Sequence, residues 1–84
     1  MDIKKKREIS QEYITSFRQH IGSRVKEFRK EKGIKQFELA ESLNISEGTM
    51  AKIESGKWIS LEMLIKLSIK LDFYIFLIDK DSDD

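Results

Sequence analysis

Apolar side chains recur at helical intervals through most of this chain. Ile9, Tyr13, Ile14, Phe17, Ile21, Val25 and Phe28 share one helical face, and the charged run Lys30-Glu31-Lys32 with Gly33 closes it. Gly22 interrupts the pattern, so residues 10–32 read either as one helix with a kink or as an extension over 10–21 followed by a second helix. A further helix is predicted from about Gln36 to Leu43, with Phe37, Leu39, Ala40 and Leu43 inward. Ala40 is small where two helices must cross closely. Asn44 takes the turn, because asparagine tolerates left-handed backbone geometry best after glycine, and Ile45 plugs the core beside it. The next helix spans about Ser46 to Ser55, opens on a good N-cap at Ser46 and closes before Gly56, with Met50 and Ile53 inward. A last helix starts near Ser60 and presents Leu61, Leu64, Leu67, Ser68 and Leu71.

Phe73 to Ile78 changes character, with six β-branched, aromatic or aliphatic residues in a row, and reads as a strand. A lone strand has no hydrogen-bond partner within its own chain. Antiparallel pairing with the same segment of a second copy, across a two-fold axis, is the simplest remedy. Phe73, Tyr74, Ile75, Phe76, Leu77 and Ile78 are then the dimer interface. The alternatives are that the last helix continues or that the segment packs as an irregular plug. The predicted fold class is all-α: a compact domain of four or five helices over residues 10–72, with a C-terminal β-strand at 73–78.

Composition narrows the picture. The chain has 84 residues, and a domain of this size buries roughly 60% of its unfolded surface. It contains no cysteine and one histidine, His20, so no zinc cluster, other metal site or cofactor is expected. The glycines stand singly at positions 22, 33, 48 and 56. With no phosphate-binding glycine loop, paired-carboxylate pocket or nucleophile–base set, the chain is not expected to be an enzyme. The basic start, Lys4-Lys5-Lys6-Arg7, leads into polar sequence rather than the apolar core of a signal peptide. No apolar run is long enough to span a bilayer. The expected location is cytoplasmic, on the nucleoid, with no membrane partner. The net charge of +1 hides an asymmetry: residues 1–35 hold 11 Lys+Arg against 5 Asp+Glu, and residues 36–84 hold 5 against 10. The basic half, including a flexible arm over 1–9, can face an anionic polymer while the acidic half, which ends in the acidic tail 79–84, faces elsewhere; the alternative is that these charges are simply a solvated surface.

The two short helices within 34–56, joined by a tight turn at Asn44, form a helix-turn-helix over 36–55, whose usual role is to seat the second helix in the major groove of DNA. Residues 21–78 resemble the lambda-repressor-like, Xre-type helix-turn-helix regulators. The resemblance rests on Arg24, Val25, Arg29, Gly33-Ile34-Lys35-Gln36, Glu38-Leu39-Ala40, Ile45-Ser46, Ile53-Glu54-Ser55-Gly56-Lys57, and Leu61 with Leu64. It implies double-stranded DNA as partner and transcriptional regulation as function, with a dimeric repressor on an inverted-repeat operator as the leading expectation. An apolar strand after the last helix resembles the antitoxin subset, some of which hold a toxin protein while repressing their own operon.

Arg29 and Glu54 resemble the family's structural ion pair. Glu47, Gly48, Thr49 and Lys52 form the exposed face that would read bases. Thr49 suits a thymine methyl or a base edge, and Lys52 suits guanine or phosphate. Glu47 repels phosphate but can accept from cytosine N4, and Gly48 has no side chain to read with. Lys35, Gln36, Ser46, Ser55 and Lys57 would hold phosphates, Gln36 through its amide and the helix N-terminus. Ser46 reads equally as a cap alone. Ile59 stands where proline is common in the family, and Asn44 and Asp72 where glycine is. Trp58 is unusual in its loop and reads either as packing against the end of the last helix or as a contact for a partner.

Overall fold

The computed structural model describes residues 9–77. Most of the basic arm, Ile78 and the acidic tail lie outside the described residues. The described chain is all-α, with four helices: α1 (Gln11–Glu31), α2 (Gln36–Ser42), α3 (Glu47–Glu54) and α4 (Leu61–Leu71). Residues 10–32 therefore form one helix, and Gly22 does not end it.

The helix limits are written locally. Ser10, Ser46 and Ser60 cap α1, α3 and α4, each hydroxyl accepting from the N–H three residues on, at 3.0–3.1 Å. At the start of α2 the Lys35 N–H donates to the Glu38 carboxylate at 2.8 Å. Each helix is followed by a left-handed residue: Gly33, Asn44, Gly56 and Asp72 have φ of 69°, 60°, 80° and 58°. The next N–H then reaches back five residues, from Ile34 to Arg29, Ile45 to Ala40, Lys57 to Lys52 and Phe73 to Ser68, at 2.8–3.2 Å. This closure occupies carbonyls that the helix leaves unpaired, and Ile34, Ile45 and Phe73 also pack on the core beside it. The expected turn at Asn44 is of this kind.

α3 packs against both α1 and α2, and α4 packs against α1. Val25, Leu39, Ala40, Leu43, Met50, Ile53, Met63, Leu67 and Leu71 are the buried core. Three expectations fail here. Phe37 is 51% exposed and does not face inward. The buried face of α4 is Met63, Leu67 and Leu71, whereas Leu61 is 72% exposed. Seven of the eleven residues of α4 are apolar, so its sequence does not mark one face. Leu61, Ile65 and Ile69 form a second apolar stripe, four residues apart, on the solvent side. Finally, Tyr13 and Phe17 lie on the expected face of α1 and stack on each other, with ring centroids 6.4 Å apart, yet they are 63% and 57% exposed because, among the described residues, no element covers that half of the helix.

The C-terminal segment also differs from expectation. Residues 73–77 form no strand in the single chain. Phe73 is half-buried and stacks on Phe28 with centroids 5.0 Å apart, while the Arg24 guanidinium lies 4.6 Å from the Phe28 centroid on that ring's face. The first residue of the segment is thus a core plug. Tyr74, Phe76 and Leu77 are exposed, and the Tyr74 and Phe76 rings lie 5.9 Å apart.

Candidate nucleic-acid interface

The site is built on a buried polar knot. The Arg29 Nε donates to Glu54 Oε2 at 2.6 Å, and its Nη2 donates to Oε1 at 3.1 Å. Arg29 Nη1 donates to the Ile34 carbonyl at 2.8 Å, and the Gln36 amide donates to Glu54 Oε1 at 3.1 Å. Four pieces of chain therefore meet at one carboxylate and one guanidinium: α1, the loop after it, the start of α2 and the end of α3. Arg29 and Glu54 are both buried, and among the described residues no buried side-chain polar atom lacks a partner. Burying two charges is costly unless the geometry and the remaining hydrogen bonds are good, and this arrangement meets both conditions. It fixes the angle at which α3 leaves the body.

Gly22 sets the distance. A Cβ placed there would lie under 3.0 Å from the backbone carbonyl oxygens of Ile53 and Glu54. α1 therefore crosses the last turn of α3 backbone to backbone, which only glycine allows. Gly56 repeats the arrangement just past the end of α3: a Cβ there would lie 2.6 Å from the Cα of Gln19. Neither contact was evident from the sequence, where Gly22 marked only an interruption.

Held in this way, α3 presents Glu47, Gly48 and Lys52 to solvent, with Thr49 half-buried. Gly48 has open space above it, its nearest neighbour being the Ser46 hydroxyl at 3.8 Å from a hypothetical Cβ. Thr49 Oγ1 shares a hydrogen bond of 2.9 Å with Ser46 Oγ and keeps further hydrogen-bonding capacity beside its methyl. Ser46 is thus confirmed as a cap. Lys35, Ser55 and Lys57 are exposed around the ends of α2 and α3, and the Ser55 hydroxyl donates to the Lys52 carbonyl at 3.3 Å.

Gln36 is placed differently from expectation. Its side-chain amide donates to Glu54 Oε1, which engages one of its two N–H groups with the knot and leaves the other and the backbone at the start of α2. Its spacing of eighteen residues from Glu54 gave no sign of the contact. Trp58 was left open between two roles. The structure places it beside Thr49, Lys52 and Lys57, lining one notch with them.

The geometry is that of two short helices at a tight turn, with the second docked on α1 and α2 and one face left free. A sequence profile of the helix-turn-helix family matches residues 25–76, well over half of the chain. No curated protein matches the chain.

Proposed function

The chain belongs to the Xre-type, lambda-repressor-like helix-turn-helix family of DNA-binding domains, and from that premise we propose that it is a dimeric transcriptional repressor. The observation that carries this reading is the exposed face of α3, held at a fixed angle by the Arg29–Glu54 knot and the Gly22 crossing. Glu47, Gly48, Thr49 and Lys52 face the base edges. Lys35, Ser46, Ser55, Lys57 and the backbone at Gln36 hold phosphates on either side. Direct readout by so sparse a set is weak, and two copies on one operator supply the affinity. The second copy pairs through Tyr74 to Ile78, which places two reading helices on half-sites about 34 Å apart and makes the operator an inverted repeat.

A selection of duplexes from a random pool, followed by anisotropy titrations, tests the reading. Binding to an inverted repeat that weakens steeply with salt is expected, since phosphate contacts release counterions. Binding indifferent to both sequence and salt would sink it. Light scattering on the full chain and on a version ending at Phe73 tests the dimer. The cut keeps Phe73 because that ring packs on Phe28. A monomer in both cases removes the pairing and the palindrome together.

A second reading is that the chain is an antitoxin that holds a toxin protein. The exposed apolar stripe of Leu61, Ile65 and Ile69 favours a protein partner of some kind. A toxin gene beside this one, and co-purification of its product on the wild-type chain but not on a Leu61→Ser/Ile69→Ser variant, would support it.

A further inference from the structure

Trp58 is 43% exposed in the loop between α3 and α4. It is the only tryptophan in the chain. Its backbone is tied to the reading helix: the N–H groups of Lys57 and Trp58 both donate to the Lys52 carbonyl, at 2.8 and 3.3 Å. The left-handed turn at Gly56 starts this reversal, and Gln19 of α1 packs against that glycine. The backbone that carries the indole is therefore tied to the end of α3.

Thr49, Lys52, Lys57 and Trp58 line an open notch of about 500 Å³, a size within the range of about 300–1,000 Å³ that ligand sites occupy. Its chemistry is one-sided. It holds two ammonium groups, one short side chain and an aromatic wall, and no carboxylate lines it. Among the described residues neither lysine has an acidic partner within ion-pair distance. A group that complements this lining has a negative charge for the lysines and a flat or apolar surface for the indole. One nucleotide unit of a DNA strand has both, with its phosphate beside a deoxyribose and a base.

We propose that Trp58 is a DNA-contacting residue, its indole packing on a sugar or thymine methyl while Lys57 holds the adjoining phosphate. This rests on the DNA-binding reading above and adds to it a contact surface beyond the reading helix. It also offsets the deficit on that helix, where Gly48 contributes no side chain and Glu47 repels phosphate.

The sole tryptophan makes its own emission the readout. The full chain is titrated with a fluorescein-labelled duplex of about 30 base pairs, long enough for two half-sites about one helical turn apart, enriched from a random pool by the chain itself. Anisotropy of the label reports binding, and tryptophan emission with acrylamide quenching reports Trp58. The expected result is that emission changes in parallel with anisotropy and that acrylamide access falls in the complex. Trp58→Ala is expected to weaken binding about tenfold, the size of one good base-level contact, with Trp58→Phe in between. Thymidine monophosphate alone at millimolar concentration is expected to leave the emission unchanged, because the duplex positions the nucleotide. Emission that follows the free nucleotide instead overturns the duplex contact in favour of a nucleotide site. Should Trp58→Ala fail to fold, the wild-type quenching and the Phe variant still decide. Anisotropy that rises while emission, acrylamide access and the affinity of Trp58→Phe stay unchanged overturns the inference and leaves the DNA-binding reading intact. No enriched duplex and no anisotropy change overturn both.

Discussion

Gly22 and Gly48 are both glycines inside helices, and each weakens its helix by up to about 1 kcal/mol relative to alanine. Their surroundings are opposite. Gly22 lies where α1 crosses the end of α3 with no room for one more carbon, and Gly48 lies on the free face of α3 under open space. The first is required by packing, and the second is a gap in a binding surface. A glycine in a helical pattern signals a local cost, but only the neighbouring element shows what the cost is for.

The largest expected effect lies at the crossing. Arg29→Ala or Glu54→Ala should destabilise the domain by about 3–5 kcal/mol, because either leaves an uncompensated buried charge. Urea melts followed by circular dichroism measure this, and a loss under about 1 kcal/mol would show that the knot is not a closed, buried unit. Gly22→Ala comes next. Its Cβ would press on the backbone carbonyls of Ile53 and Glu54, so a loss of about 1–3 kcal/mol is expected despite the better helix former. Gly48→Ala should do the reverse and stabilise by about 0.5–1 kcal/mol. If the two substitutions shift the melt in the same direction, the contrast between the two sites is wrong. The smallest effect is expected far from the crossing, at the uncovered start of α1. Tyr13→Ser and Phe17→Ser should each stay within about 0.5 kcal/mol. A larger loss that depends on protein concentration would mean that a second copy covers this face.

How far the sequence could be read follows the same division between local and distant causes. The cap at Ser46 and the turn at Asn44 were legible because a few neighbouring residues determine them. Most of the inward set of the middle of the chain, Val25, Leu39, Ala40, Leu43, Met50 and Ile53, was legible from helical spacing, whereas Phe37, equally flanked by polar residues, faces solvent. α4 was not, because Leu61 and Met63 are equally apolar and only the position of α1 decides between them. The same limit applied to Tyr13 and Phe17: periodicity states which residues share a face but not whether anything covers it. At the site, Arg29 and Glu54 were recognisable as a pair by resemblance. The inward turn of Gln36 depends on where another helix ends, which no spacing along the chain records.

The four matching helix endings bear on how the chain folds. Each stop is made by a left-handed residue and a hydrogen bond across five positions, so its determinants are local in sequence. The length and register of every helix are then set without a search over distant pairings. Chains rich in such local contacts fold in microseconds to milliseconds.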